Sequence, residues 1–528
     1  MRFSLHLKFL FLSLVLYVSL WSTVDILKMF DLNIFVFDAG VSMQNAWYLY
    51  PANWGYNPNI ALLSLFSQSS FYFVVSPLSV INSFSLDFIV QSILVGSGAI
   101  PLFFIARKLL DSDKEALLIS ISYLIYFPSS GLNWYDIHWE VMFIPLFLTG
   151  FYLYLINRYY LSFLLLFLSG LGRYPFLIFP ILFGLLWIVD SLREYRKTKE
   201  WGTNLRRNTI FTILLSIFSI AFLTLQYIVQ KLSISYTATD LHSRNLSINL
   251  LPYLPNKIIT IFLIFLPLLF IPLISKKWSV FYMPYIIVIL FWNFSSVLYP
   301  VGFLYQYPLM IVPFVFIGLI DGITILRERG SPKISLALKM KFSVKKGVSW
   351  ATIVLTVSAL LGLVFLPYGP LSNHSGYNYQ GQNFSLDNFL TTNTTIYNNL
   401  ESAISKIPKD NPYVLTQMDI PEIYPRPLPF YNTPLTTTFT PFGNVSLNDF
   451  KNNSIPLYAN GKLVHTQIDY TIAYTNSYLY YLAYPVEPYW IVPNMKNLTS
   501  LMLQSGMYHI AYNQTGIILI ERNGLESG

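Results

Sequence analysis

The residues most capable of chemistry are three ionisable side chains that lie close together in the sequence. The stretch NWYDIHWEVMF, residues 133–143, contains Asp136, His138 and Glu140, although only 11% of the chain is charged. Residues two apart in an extended segment point to one face, so two carboxylates and one imidazole would converge there. Such a set suits a divalent cation, Mg²⁺ or Mn²⁺, or hydrogen bonds to the hydroxyls of a sugar.

A purely structural interpretation of this stretch is also open. Asp136 and Glu140 could end one helix and begin the next, because a carboxylate is favoured at a helix N-terminus. Trp134 and Trp139 would then be aromatic residues of the membrane interface. The spacing alone does not decide between the two interpretations.

The elements that carry these residues are predicted to be membrane-spanning helices. The chain is 54% hydrophobic, and its charged fraction is far below the roughly 25% of soluble domains. Uncharged runs of roughly 17–25 residues recur, and each is long enough to cross a bilayer as a helix. The chain contains no cysteine, which excludes disulfides, thiolate metal sites and cysteine nucleophiles.

The positions of Lys and Arg predict the topology of this multi-pass α-helical protein in the cell membrane. Basic clusters such as REYRKTK, residues 193–199, are assigned to the cytoplasm. The N-terminal apolar run lacks a small-residue cleavage site and is expected to remain as the first helix. The N-terminus is then inside and the C-terminus outside.

About eleven transmembrane helices are predicted, near residues 9–26, 84–106, 115–131, 141–157, 159–173, 175–191, 208–229, 257–274, 278–296, 305–325 and 348–366.

This topology divides the chain into two parts. Residues 1–367 form the transmembrane domain, with a long first outer loop at about 27–83, and residues 368–528 form an extracytoplasmic domain. The second part carries 7 Lys and Arg against 10 Asp and Glu, so the basic excess is confined to the membrane part. Alternating apolar and polar runs between turns predict a small α/β fold there. Seven N-x-S/T sequons indicate an exposed and glycosylated region.

A second acidic segment is predicted on the same outer side. FDLNIFVFDAGVSMQNAW, residues 30–47, contains Asp31 and Asp38 and follows the first helix directly. Asp87 and Gln91, near the start of the second helix, are either inward-facing polar residues or interface-flanking residues, and the second interpretation is favoured. The outer face therefore presents two acidic segments, and nucleic acid is not an expected partner.

Two motifs resemble a known family. DAGVSMQNAW, with Asp38, Gly40, Gln44 and Trp47, followed by YDIHWE, resembles a prokaryotic membrane family classed as a domain of unknown function (number 2079). The predicted architecture of that family is similar to the C-superfamily (GT-C) glycosyltransferases, which use polyprenyl-phosphate-linked sugars. The resemblance extends through YQYPLMIVPF, residues 305–314, to the segment 407–431.

The resemblance implies a mechanism and site residues. Asp38 would be the carboxylate of the first outer loop, acting as a base or metal ligand, and Arg173 would offset charge on the departing phosphate. Asp31, Gln44, Asp136, His138 and Glu140 would bind substrate, and Asp38, Asp136 and His138 would hold any divalent cation. The expected partners are the bilayer, a lipid-linked sugar donor and an extracytoplasmic glycan or protein acceptor. Arg173 could instead cap its helix and extend to the interface.

The chain also departs from the family pattern. Met43 replaces an acid or amide, Trp139 replaces a proline, and Tyr174 and Pro175 replace two acids after the cation at Arg173. These departures keep two other functions open, a transporter or flippase of a lipid-linked substrate and a non-enzymatic membrane anchor for a surface assembly. A transporter would require polar residues through the bilayer midplane.

Overall fold

The described part of the chain is helical up to residue 366 and contains both helices and strands from residue 394 onward. The computed structural model describes residues 4–32, 46, 49–51, 65, 69–81, 83–134, 137–198, 203–232, 253–291, 303, 307–328, 349–366, 394–408, 414–416, 445–459, 462–476, 484–487, 490–492 and 495–525.

The helical part consists of α-helices joined by short 3₁₀ turns. The α-helices are α1 Leu5–Phe30, α2 Phe71–Val75, α3 Leu78–Ile81, α4 Phe84–Ser97, α5 Ala99–Leu110, α6 Asp113–Leu124, α7 Gly131–Trp134, α8 Phe143–Leu155, α9 Tyr159–Gly170, α10 Ile178–Thr198, α11 Thr203–Leu232, α12 Leu254–Phe265, α13 Ser279–Phe291, α14 Val312–Glu328 and α15 Trp350–Phe365. The 3₁₀ turns are Phe127–Ser129, Trp139–Met142, Tyr174–Leu177, Leu266–Leu268, Ile271–Ile274 and Tyr307–Met310.

Described helices lie within all eleven predicted stretches, but few have the length of a membrane span. Three helical stretches are long and apolar enough to cross a membrane, namely Leu5–Phe30, Phe84–Leu110 and Leu205–Val229. The pair Asp113–Leu124 and Phe127–Trp134, bent by 47°, makes a fourth if it is one span. Within the described ranges, length and composition therefore support three or four spans, where about eleven were predicted.

Helices α1 and α4 pack antiparallel and carry several of the buried polar residues. Each begins at a serine cap, because the Ser4 and Ser83 hydroxyls accept hydrogen bonds from backbone N–H groups in the first turn. A methyl group at Gly96 would lie 2.7 Å from Leu14. At the other end of the pair, the Ser85 hydroxyl lies 3.9 Å from the Met29 sulfur. Close packing of the two helices therefore accounts for a glycine at position 96.

The main apolar core surrounds α14. Twelve of the 17 residues of this helix are buried, and a methyl group at Gly322 would lie 2.5 Å from the Ile271 carbonyl oxygen. Phe314 contacts the rings of Phe147, at 4.9 Å, and Phe281, at 4.6 Å. Helix α14 thus packs against α8, α13 and the Ile271–Ile274 turn.

The described residues from 394 onward form three α-helices, α16 Thr395–Ile404, α17 Leu447–Lys451 and α18 Met495–Gln504. A four-stranded sheet has the order β1–β4–β8–β7, and two hairpins, β2–β3 and β5–β6, accompany it. In the sheet, β1 is parallel to β4 and the other pairs are antiparallel. The strands are β1 Val414–Thr416, β2 Ile455–Ala459, β3 Lys462–Thr466, β4 Tyr470–Tyr474, β5 Tyr484–Glu487, β6 Trp490–Val492, β7 Tyr508–Gln514 and β8 Ile517–Arg522.

This C-terminal region packs on one end of the helices. The Phe30 ring, at the end of α1, makes an edge contact with the Tyr397 ring of α16, with centroids 5.1 Å apart. A single buried apolar cluster joins the two regions. It contains Met29, Phe84, Phe88, Ile137 and Trp139 of the helical part with Tyr397, Leu400, Val414, Ile472 and Leu519 of the C-terminal region.

Candidate functional site

The turn between α7 and α8 brings two of the predicted site residues together. His138 has an extended backbone, and Glu140 lies in the 3₁₀ turn Trp139–Met142 that follows it. Both side chains are buried, and His138 Nδ1 lies 3.6 Å from Glu140 Oε2. The two side chains therefore lie close together, although Glu140 is in a 3₁₀ turn and not in the extended segment on which the prediction was based. Trp134 and Trp139 are buried within the protein, so their interpretation as lipid-facing belt residues is wrong.

Arg173 joins this pair from a distant part of the chain. It lies at the bend between α9 and the 3₁₀ turn Tyr174–Leu177, and its Nε is 3.8 Å from Glu140 Oε1. The Arg173 side chain is 34% exposed, whereas the Glu140 side chain is 4% exposed. The buried carboxylate therefore lies beside a cation that can also reach a ligand. We call His138, Glu140 and Arg173 the turn cluster.

Helix α2 holds the bend that carries Arg173. The Ser70 N–H donates to the Leu171 carbonyl over 3.1 Å. A methyl group at Gly172 would lie 2.7 Å from the Phe71 ring, so only a residue without Cβ permits this approach. Helix α2 also contacts the Trp139–Met142 turn. The bend and the turn are therefore positioned by one short helix.

Two buried polar side chains from other helices contact the backbone on either side of position 136. Lys28 Nζ, in the last turn of α1, donates to the Trp134 carbonyl. The same ammonium lies 3.7 Å from Asp25 Oδ1 and 4.3 Å from the centroid of the Trp134 ring. From α4, Gln91 Oε1 accepts a hydrogen bond of 2.6 Å from the His138 N–H.

Asp25 and Lys28 were not predicted from the sequence. Asp87 and Gln91 are buried, which supports their interpretation as inward-facing residues, so the favoured interface-flanking interpretation is wrong. Asp87 is 0% exposed, and neither carboxylate oxygen has a hydrogen-bond partner among the described residues. Ionisable residues within an apolar helix are functional candidates by default, and this signal was available for Asp25 and Lys28.

The remaining predicted site residues are not part of the described cluster. Asp38, Gln44 and Asp136 lie outside the described residues. Asp31 follows α1, where its N–H donates to the Leu27 carbonyl over 3.1 Å. Within the described ranges, no three His, Asp or Glu side chains are grouped closely enough to hold a metal ion. The predicted metal site, which needs Asp38 and Asp136 beside His138, stays a prediction.

Several apolar helices are long enough to span a membrane, and ionisable residues are buried near one end of them. These features define a helical membrane protein. The family model described as "Predicted membrane protein (DUF2079)" matches residues 69–421, which is about two thirds of the chain. The chain therefore belongs to this family of predicted membrane proteins. The match includes the turn cluster and begins after Asp31 and Asp38. No curated protein and no solved structure matches the chain.

Proposed function

We propose that this protein is a membrane glycosyltransferase of the GT-C type. It would transfer a sugar from a polyprenyl-phosphate-linked donor to an extracytoplasmic glycan or protein acceptor. The observation that carries the proposal is the contact between the buried Glu140 carboxylate and the half-exposed Arg173 guanidinium. This pair lies in a family-matched segment, next to the end of the helices that the C-terminal region covers.

The reaction requires a cation at the departing phosphate and a base at the acceptor. The bond between the anomeric carbon and the phosphate oxygen breaks, and its electron pair stays on the phosphate. The acceptor hydroxyl oxygen forms the new bond to that carbon, and its proton passes to the base. Arg173 suits the phosphate because a guanidinium presents two parallel N–H donors. Glu140 would orient Arg173, His138 would contact the sugar, and Asp38 is the proposed base.

A divalent cation is not needed for this assignment. Among the described residues, Glu140 and His138 are the only donors in the turn cluster, and Arg173 already faces the carboxylate. His138 and Glu140 alone do not complete the coordination that Mg²⁺ or Mn²⁺ prefers, and Asp38 and Asp136, which the predicted metal site also needs, lie outside the described residues. No step of the proposed transfer depends on a metal ion.

The polar residues buried around the turn between α7 and α8 favour an enzyme over a transporter. Lys28, at the end of α1, contacts Trp134. Gln91, which lies one turn after Asp87 on α4, contacts His138. These polar residues and the turn cluster thus surround one turn. A transporter pathway would be expected to place polar residues through the bilayer midplane as well. We place the C-terminal α/β domain and the turn cluster on the outer face of the cell membrane.

The decisive experiment replaces Arg173 with alanine. Membranes containing the Arg173→Ala variant should transfer labelled sugar from a polyprenyl-phosphate donor about a hundredfold more slowly than the wild type, because the leaving phosphate loses its counter-charge. Arg158→Ala is the matched control, since Arg158 is an exposed arginine that precedes α9. Equal transfer by Arg173→Ala and wild type would remove Arg173 from the mechanism. Absence of transfer by the wild type would contradict the proposed function itself.

A further inference from the structure

The backbone of the turn between α7 and α8 is held at two points by buried side chains. We propose that Lys28 and Gln91 are positioning residues that together form a clamp on this turn and fix where His138 and Glu140 stand. The clamp is a property of the fold, and only its effect on catalysis rests on the proposed function. Residues 134 and 138, the two clamped positions, flank Asp136 in the sequence.

The first point of the clamp is the carbonyl of Trp134. Lys28, which lies 106 residues earlier in the chain, donates a hydrogen bond to this oxygen. Its ammonium is buried with the Asp25 carboxylate and lies over the Trp134 ring. A buried ammonium is held by several partners at once, because leaving it without them would carry a large desolvation cost. Lys28 therefore ties the end of α7 to the end of α1.

The second point of the clamp is the N–H of His138. This group donates to the Gln91 side chain, which comes from 47 residues earlier, over 2.6 Å. Both residues are buried, so water cannot easily replace the amide oxygen when it is removed. A buried donor left without its acceptor costs more than the net value of one hydrogen bond. Gln91 therefore fixes the backbone immediately before Trp139 and Glu140.

The two points act together because α1 and α4 are themselves packed against each other. Leu14 and Tyr17 of α1 surround Gly96 of α4, and Met29 contacts Ser85 at the opposite end. The turn is thus attached to a rigid helix pair rather than to a loop. Functional side chains attached to rigid helices keep their relative positions. A displacement of such a side chain by about 1 Å can lower the reaction rate about a hundredfold.

The chain offers a matched control for each residue of the clamp. Ser22 of α1 and Ser92 of α4 are buried close to Lys28 and Gln91 in the sequence. Neither hydroxyl has a hydrogen-bond partner among the described residues. Ser22→Ala and Ser92→Ala change buried polar positions on the same helices without removing a hydrogen bond to the turn. These two variants therefore measure how much the exchange rate and the activity change when any buried polar residue of α1 or α4 is replaced.

The first test measures hydrogen exchange of backbone amides in the full-length protein. Gln91→Met keeps the length of the side chain and removes the acceptor, whereas Gln91→Glu keeps an acceptor oxygen. For the other point, the double variant Asp25→Asn/Lys28→Met removes both charges together, and Lys28→Arg keeps the donor. We expect exchange at residues 137–141 to be about tenfold faster in the two variants that remove the contact. The conservative variants and both serine variants should exchange as the wild type does.

Exchange in strand β8, residues 517–522, reports whether each variant is folded. Wild-type exchange at residues 137–141 in a folded Gln91→Met protein would overturn the proposal, because the turn would then be held by other contacts. If Gln91→Met does not fold, the double variant decides by the same comparison. Equal acceleration by Ser92→Ala would also overturn it, since the effect would then belong to the helix and not to the Gln91 acceptor.

The second test measures sugar transfer in the same variants. We expect Gln91→Met to lower kcat about tenfold with little change in KM, because the contacts to substrate are kept while the reacting geometry is lost. Gln91→Glu should restore the rate. If Gln91→Met transferred sugar at the wild-type rate although its turn amides exchanged faster, Gln91 would have no positioning role in catalysis. If the wild-type protein shows no transfer, the proposed function fails while the exchange experiment still decides the clamp.

Discussion

At the scale of single residues, helix α4 carries one buried polar side chain with a hydrogen-bond partner and, one turn away, a buried carboxyl without one among the described residues. Gln91 and Asp87 lie one turn apart on α4, and both are buried. Gln91 accepts a hydrogen bond from the turn, whereas neither Asp87 oxygen has a partner among the described residues. A buried carboxyl without partners lowers stability. A protein that keeps such a group gives up stability at that position, which is typical of functional sites.

Replacing Asp87 with a residue of similar size should therefore stabilise the protein. We expect Asp87→Val to raise the free energy of unfolding by about 1–3 kcal/mol, because the desolvation penalty of the carboxyl is removed. The measurement is the melting temperature of the purified protein in detergent. Ser85→Val, at a partly buried position of the same helix, is the control. A lower melting temperature for Asp87→Val would mean that the carboxyl has a stabilising partner.

At the scale of elements, the position of Arg173 depends on the close approach of α2 to the bend at Gly172. We expect Gly172→Ala to lower sugar transfer about tenfold, because the new methyl group would lie 2.7 Å from the Phe71 ring and displace the bend. Gly362→Ala, in α15, adds a methyl group that meets the flexible end of Leu366 at 3.3 Å. This control should keep the wild-type rate. An unchanged rate in Gly172→Ala would show that the bend tolerates the displacement.

The C-terminal sheet contains a buried tyrosine that links its stability to pH. The Tyr508 hydroxyl lies 3.0 Å from the Ile468 carbonyl oxygen and 3.2 Å from Asn453 Oδ1, and it can donate a hydrogen bond to either oxygen. Burial raises the pKa of Tyr508 well above its ordinary value; the nearby Asp469 raises it further, and Arg522 opposes the shift. The neutral hydroxyl is thus favoured in the folded state. Its contribution is fully present below the unfolded pKa of about 10 and is lost as the pH rises above it.

Tyr508→Phe should therefore reduce the alkaline sensitivity of the sheet. At neutral pH the variant should be less stable by about 1 kcal/mol, because one hydrogen bond is lost. The difference from the wild type should shrink as the pH rises above about 10. The readout is hydrogen exchange of β7 and β8 in the full-length protein, and Tyr512→Phe on the same strand is the control. A difference that stays constant with pH would contradict the linkage to Tyr508.

At the scale of the whole molecule, the C-terminal region covers the end of the helices beside the turn cluster. Phe30 and Tyr397 are in contact across this boundary, and the two regions share one apolar cluster. The predicted topology puts that end outside the cell. The exposed residue Lys276 belongs to one of the basic clusters assigned to the cytoplasm.

The absence of cysteine from the sequence makes this topology directly measurable. We expect a single cysteine at the exposed position Gln514, introduced as Gln514→Cys, to react with a membrane-impermeant maleimide in intact cells. Lys276→Cys should react only after lysis, because the basic loops stay inside. The cysteine-free wild type is the control. Labelling of Gln514→Cys only after lysis would reverse the orientation and place the turn cluster on the cytoplasmic side.

The sequence by itself determined the helical membrane class and the most suggestive local pattern. Long apolar runs must satisfy their own backbone hydrogen bonds in a bilayer, so helices were predictable from composition alone. The pair His138 and Glu140 was found because alternate residues in an extended segment share a face. Both inferences need only neighbouring residues.

Only the tertiary structure decided which distant residues meet. Arg173 reaches Glu140, and Lys28 and Gln91 reach the turn, because of how α1, α2 and α4 pack, and no local pattern specifies that packing. Asp87 and Gln91 were misassigned for a related reason. In a soluble helix, the contrast between polar and apolar faces marks the buried side. In a membrane helix, both the lipid-facing and the protein-facing sides are apolar, so the sequence does not tell whether a polar residue is buried in the protein or lies at the interface.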